Sequence, residues 1–302
     1  MKYIIVLTAA LFIGLTNILF AQNQYDSVEI KTIKVDNGLY MLQGAGGNIG
    51  ISSGEDGIFM IDDQFSPLTP KILAAIREIS PEPVKFVINT HWHYDHTGGN
   101  ENLGNMGVII VAHDNVYKRL NSDQFMKDFN MNIPASPKAA LPVVTFNDRV
   151  SFHMNGLEIQ ARHFANAHTD GDSVIFFKNK NALHTGDIFF NGLYPYIDSG
   201  AGGSIYGMIK TVKHILGQID DQTKIIPGHG PLANKQDLQN YLQMLAEVVK
   251  NLEPLAQEGL PLEEAIKRDP LKNLNETWGG GFLKAEKFIG IIYATIQKHV
   301  KE

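Results

Sequence analysis

The sequence predicts an α/β protein built as a four-layered αββα sandwich, two mixed β-sheets flanked by helices. Strand-like runs fall into two successive sets, amphipathic helices accompany each set, and no linker divides the chain. The 302 residues are 44% hydrophobic with 28 Gly and 13 Pro, enough for one sizeable core. A single domain over residues 22 to 302, ending in C-terminal helices, is therefore expected. The net charge of -6 and the lack of any long Lys/Arg run exclude a nucleic-acid or anionic-membrane partner. A small, neutral or modestly charged molecule fits better as substrate, and nothing in the sequence fixes an oligomeric state.

The N-terminus, "MKYIIVLTAALFIGLTNILFAQNQ", opens with Lys2, runs apolar from Tyr3 to about Phe20 and turns polar after Ala21. It reads as a signal peptide over residues 1 to 21, and hence as a periplasmic or secreted protein with no stable membrane insertion after cleavage. The length of the apolar run and Leu19, large for its place before the cleavage point, leave an uncleaved anchor as the competing reading. Without cysteine there is neither a lipidated N-terminus nor a disulfide.

Residues 28 to 64 read as a β-meander, with Asp36-Asn37-Gly38 as the first hairpin turn. "SPLTPKILAAIREIS" places Ile72, Leu73, Ile76 and Ile79 at helical spacing, and Pro81 and Pro83 end the helix. "VKFVIN" is the continuous apolar run of a strand buried on both faces. "VIIVAH" and "DNVYKRL" read as strand and helix, and residues 121 to 142, with three prolines, as an irregular excursion long enough for a lid. Strands return from Val143 to Phe190. A helix follows with Ile205, Met208, Ile209, Val212, Ile215 and Ile219 on one face. A short strand "KII", the turn "PGHG", a helix from about Asn234 to Gln257 and a last helix around Ala285 to His299 complete the chain.

"THWHYDHTGGN" follows "VKFVIN" directly, at the strand end where open α/β sheets keep their sites. In an extended segment residues two apart project to one side, so His91, His93 and Asp95 share a face and His96 points elsewhere. One short loop then serves two metal ions. Imidazole and carboxylate donors without thiolate suit Zn(II) above all, with iron or manganese as alternatives. Packing alone does not explain three histidines and an aspartate in six positions. His168 in "NAHTDGDS", Asp187 in "LHTGDIFF" and His229 in "IIPGHGP" each sit in a loop leaving a buried strand, where a sheet can bring them beside the first cluster.

In these residues the sequence resembles the metallo-β-lactamase superfamily. His91, His93, Asp95 and His96 match its HxHxDH motif in full, and His168, Asp187 and His229 occur in the family's order, over roughly residues 28 to 232. The resemblance implies that His91, His93 and His168 hold one metal, that Asp95, His96 and His229 hold a second, and that Asp187 bridges them. Two such cations share a water and lower its pKa from about 15.7 towards 7. The resulting hydroxide attacks a polarised carbonyl, with Asp95 as the catalytic residue that orients it and shuttles its proton. An aspartate at position 187 is similar to glyoxalase II and lactonases rather than to class B β-lactamases, whereas export favours β-lactams over intracellular thioesters. The expectation is an exported dinuclear zinc hydrolase of an ester, lactone or cyclic amide, with β-lactams in reach. The alternatives are a phosphodiesterase or sulfatase on the same metals, and a non-catalytic metal-binding relay protein.

Other residues have plainer readings. His113, His153, His163, His184, His214 and His299 lack ligand context and read as surface histidines, with His184 a candidate for orienting a ligand. "GAGGNIG" misses GxGxxG and reads as a flexible hairpin loop. Phe189, Phe190, Tyr194 and Tyr196 read as core or pocket lining, as do Trp92 and Tyr94. Neither a GxSxG elbow nor a P-loop is present.

Overall fold

In the computed structural model residues 24 to 302 are described, so the signal-peptide reading of residues 1 to 21 lies outside them. Among the described residues no helix is long and apolar enough to cross a membrane. A seven-stranded sheet runs in the order β1-β2-β3-β4-β5-β6-β9 and a five-stranded one in the order β10-β11-β12-β13-β14. In the first sheet β1 (Lys31–Asp36), β2 (Leu39–Gln43), β3 (Ile49–Gly54) and β4 (Gly57–Ile61) form the antiparallel meander. Three strands extend it in parallel: β5 (Val84–Asn89), β6 (Ile109–His113) and β9 (Val144–Phe146). In the second, β10 (Arg149–Met154), β11 (Leu157–His163), β12 (Ser173–Phe177) and β13 (Ala182–His184) are antiparallel, and β14 (Lys224–Ile226) joins β13 in parallel. Both sheets are thus mixed, as expected.

Strand alternation sorts the apolar residues into layers. Phe59 and Ile61 of β4 point inward with Ile159 and Ala161 of β11 and Ile175 and Phe177 of β12, and these form the core between the sheets. Their neighbours Ile58 and Met60 point outward to Ile72 and Ile76 of the helix Thr69–Ile79. On the opposite side Val174 and Phe176 meet the helices Ile205–Leu216, Lys235–Gln257 and Ala285–His299. The long helix begins with a capping box, Asn234 and Asp237 exchanging side-chain to backbone bonds.

Two local readings change. Residues 121 to 142 carry a hairpin of β7 (Gln124–Met126) and β8 (Met131–Ile133), its base tied by the Ala135 N–H donating to Asp123 Oδ1 at 2.9 Å. Short helices at Asn100–Asn105, Leu262–Lys267 and Asn275–Trp278 add to those the periodicity predicts.

Candidate metal centre

The seven residues singled out in the sequence lie together at one edge of the sandwich, where the loops after β5, β11, β13 and β14 converge. Ligand atoms of His91, His93, His168 and Asp187 fall within 4.8 Å of one another, and those of Asp95, His96 and His229 form a second group on the same criterion. The expected face-sharing of His91, His93 and Asp95 is wrong. Extended backbone ends at His93, and Tyr94–Thr97 is a helical turn, so Asp95 and His96 turn together toward His229. Asp187 stands between the groups. Its Oδ2 is 3.7 Å from His91 Nε2 and 3.5 Å from His168 Nε2, and its Oδ1 is 3.0 Å from His96 Nε2 and 3.4 Å from His229 Nε2.

The outer partners fix the imidazole tautomers. His93 Nε2 donates to Asp198 Oδ2 at 3.0 Å, His168 Nδ1 to the Tyr196 carbonyl at 2.8 Å, and His96 Nδ1 to Asp62 Oδ2 at 2.8 Å. Thr90 Oγ1 donates to Asp62 Oδ2 and must therefore accept from His91 Nδ1, 3.0 Å away. With the rings neutral, lone pairs are thus left on His91 Nε2, His93 Nδ1, His96 Nε2 and His168 Nε2, all turned inward. His93 Nδ1 and His168 Nε2 face each other at 2.8 Å, a repulsive contact unless a cation or proton stands between them. Burial lowers His168 to about 4, which disfavours a proton carried by His168. His91 Nε2 is buried with no hydrogen-bond partner, and such an orphaned atom fits metal ligation. The residues present therefore suit two cations with nitrogen and oxygen donors.

The remaining charges follow the same logic. Burial, reinforced by His96, holds His91 well below the histidine range. Burial also opposes charge on His96 and His229, but Asp187 and Asp95 outweigh it, holding His96 well above its ordinary value and pushing His229 up to about 9. Against its own burial Asp95 is lowered to about 2 by His96 and His229. In the metal-free protein at pH 7, then, both carboxylates are ionised and both of these histidines protonated. A metal ligand must be a neutral imidazole, so loading at pH 7 is expected to release about two protons per chain, and affinity to rise with pH until both histidines have titrated. Calorimetric titration with zinc in two buffers of different ionisation enthalpy measures this; fewer than about one proton released contradicts it.

Three residues that the sequence reading did not single out support the ligands. Asp62, fully buried, accepts from Thr90 N and Thr90 Oγ1 at 2.7 Å each besides His96. It follows an apolar strand just as His91 does, which is the signal that could have found it. Asp198 orients His93, and Asp172 accepts from the backbone N–H groups of His168 and Thr169 at 2.6 and 2.8 Å. His184 is buried, not on the surface. It donates from Nε2 to the Asn48 carbonyl at 2.9 Å and accepts from Gly186 N at 3.1 Å, beside Asp187. His113 is also buried; it caps the helix Asp114–Leu120 and stacks on His163 with centroids 3.7 Å apart.

The glycine-rich loop is not a loose hairpin. Asn48 Nδ2 donates to the carbonyls of Pro227 and Gly230 at 2.9 Å each, clamping the loop to the turn that carries His229. A methyl on Gly47 would overlap the His96 ring. Gly47→Ala is expected to displace that ring, lowering metal affinity or kcat/KM about 10–100-fold while the protein stays folded; metal analysis after dialysis reads it.

A cavity of about 560 Å³ opens over the cluster, reached by His93, Asp95, Asp187 and His229 and walled by Trp92, Tyr94 and Tyr196. Phe189 and Tyr194 belong to the core, and Phe190 stacks on His229 at 5.0 Å.

The family model described as metallo-beta-lactamase superfamily matches residues 45–235. The chain is 25% identical over 147 residues to a hydroxyacylglutathione hydrolase of Pelagibacter ubique, covering 48% of this chain and 52% of that protein. It is 22% identical over 230 residues to a linear primary-alkylsulfatase of Pseudomonas sp., covering 64% and 43%. The chain thus spans about half the length of these relatives. Among solved structures it resembles a metallo-beta-lactamase from Pontibacter korlensis with a TM-score of 0.60 at 19% identity, over 72% of this chain and 99% of that one.

Proposed function

The chain belongs to the metallo-β-lactamase superfamily, and from that membership we propose that it is an exported, dinuclear zinc hydrolase of a small ester, lactone or cyclic amide. The superfamily's members are mostly hydrolases. The observation that carries the two-metal reading is Asp187, one carboxylate oxygen turned to His91 and His168 and the other to His96 and His229. His91, His93 and His168 would hold one ion and Asp95, His96 and His229 the other. Bound there, two zinc ions supply Lewis acidity that polarises a carbonyl and lowers the pKa of water towards about 7.

The chain's own groups do the rest. Asp62, Asp198, Thr90 and the Tyr196 carbonyl hold the imidazole rings so that no reorientation is needed during turnover. Asp95 Oδ2, 3.2 Å from His229 Nε2, lies at the cavity floor with its side chain 30% exposed. Ionised, it accepts the proton of the attacking water and returns it to the leaving group. Trp92 and Tyr196, both buried, exclude bulk water from one side.

The test is metal analysis of the purified mature protein together with a chromogenic panel of carboxylic ester, lactone, cephalosporin, phosphate and sulfate substrates. About two zinc ions per chain and chelator-sensitive ester, lactone or β-lactam turnover are expected. Less than one metal per chain with no turnover of these would sink the proposal. Turnover of alkyl sulfate alone would favour the sulfatase reading, to which the similarity to the Pseudomonas enzyme points. Periplasmic or secreted location is part of the proposal, and fractionation of the native host tests it. A nucleic-acid partner is not proposed, given the net charge of -6.

A further inference from the structure

The cavity over the cluster has a marked asymmetry of charge. Its wall away from the metal ligands is apolar: Phe65 and Trp92 on one side, Met126, Phe129, Met131 and Ile133 from the β7–β8 hairpin on the other. The acidic groups that reach it are Asp95, Glu101 and Asp187. Among the described residues Arg119 is the one lysine or arginine in the lining, and its charge is already engaged. Its Nε and Nη2 donate to the two oxygens of Asp170 at 2.8 and 2.7 Å, its Nη1 donates to Gln124 Oε1 at 3.1 Å, and its Cζ lies 5.9 Å from the centroid of the Trp92 ring. Lys287, behind the hairpin, donates to the Asp128 carbonyl and sits 5.3 Å from the Phe129 ring.

We propose that this wall selects substrates whose arm beyond the scissile bond is neutral and apolar, and rejects those carrying a negative charge there. The inference rests on the hydrolase reading for its chemistry but concerns the arm, not the reacting group. An anionic arm entering the cavity would leave water without gaining a free cation, and a desolvated charge without a partner is strongly unfavourable. Glu101 adds repulsion, whereas Asp95 and Asp187 would be neutralised by the cations they hold. An aliphatic or aromatic arm instead buries its surface against Met and Phe side chains, which adapt to its shape. Met131 and Phe129, 43% and 39% exposed, stand at the mouth and discriminate first. This separates the chain from the reaction named for its Pelagibacter relative, because a glutathione thioester carries two carboxylates.

The experiment compares p-nitrophenyl hexanoate with its ω-sulfonated counterpart on the zinc-loaded protein, sulfonate being a weak metal ligand. On the order of tenfold higher kcat/KM is expected for the neutral ester. Met131→Lys, at an exposed position where lysine is tolerated, should narrow that ratio by raising turnover of the sulfonated ester. A parallel titration of N-hexylacetamide and its ω-sulfonated form, followed by Trp92 fluorescence with Trp278 as background, reads the same preference without turnover. If neither ester is cleaved but the neutral amide binds more tightly, the hydrolase reading fails and the inference stands. Equal or better use of the sulfonated ligands, in rate or in binding, overturns it. So does a Met131→Lys protein whose ratio is unchanged.

Discussion

Asp187→Asn is expected to lower kcat/KM for every substrate the site accepts by about 10³-fold and, if the centre holds two zinc ions as proposed, to reduce bound zinc to about one ion per chain. The carboxylate offers an oxygen to each half of the cluster, and an amide keeps the shape while losing the charge and one of the two donors. Its NH2 group can turn toward only one half, so one ion loses its shared ligand. Removing a group that stabilises developing charge in a preorganised site costs about 10²–10³ on its own, and loss of one cation adds to it. The fold is retained, because Asp187 makes no hydrogen bond that a strand depends on; far-UV circular dichroism checks this beside metal analysis and kinetics. Two zinc ions per chain and a rate within about threefold of the parent would contradict the bridging role.

Asp62→Ala has the largest expected effect on stability. Three donors converge on this buried carboxylate: Thr90 N, Thr90 Oγ1 and His96 Nδ1. Truncation leaves them unsatisfied, each at about 1–3 kcal/mol. Asp62 also lies at φ 59°, in the left-handed region where alanine is less favourable than aspartate or asparagine. A loss of about 3–5 kcal/mol is expected, equivalent to a Tm lower by about 6–20 °C, with zinc affinity reduced about 10–100-fold as His96 loses its anchor. Asp62→Asn keeps the backbone preference and an acceptor for Thr90 N, but not the full set, and should fall between the two in Tm. Thermal melts of the zinc-loaded proteins and competition with a zinc chelator test both changes. Unaltered zinc affinity in Asp62→Asn, with Asp62→Ala melting within about 2 °C of the parent, would remove Asp62 from the support of the site.

How much of this was legible follows from the nature of each signal. His91, His93, Asp95, His96, His168, Asp187 and His229 stood out because metal ligation demands particular side chains and strand ends are where a sheet presents them. The shared face expected for His91, His93 and Asp95 was misjudged because period-two reasoning assumes that the strand continues, and the chain turns helical at Tyr94; the division of the ligands into two groups was read correctly. Asp198 was invisible: it lies 105 residues from His93, and only tertiary folding joins them. The β7–β8 hairpin escaped because it is a surface excursion, partly exposed on both faces, where no burial imposes alternation. His113 and His184 were read as surface residues because a satisfied buried imidazole carries no sequence mark. The four layers, by contrast, rest on strand runs and helix faces, and local periodicity records both.

The ligands are divided unequally between the sheets. The first four follow β5 in the seven-stranded sheet, and the last three follow β11, β13 and β14 in the five-stranded one. No stretch of chain shorter than about 140 residues, from His91 to His229, contains a complete set. The donors before β14 make only part of the cradle, and the final one, His229, is placed by the pairing of β14 with β13. The complete seven-donor set therefore exists only once both sheets have formed. A chain cut before the turn "PGHG" keeps His91, His93, His168 and Asp187 but lacks His229, so under the two-metal proposal its second site is incomplete.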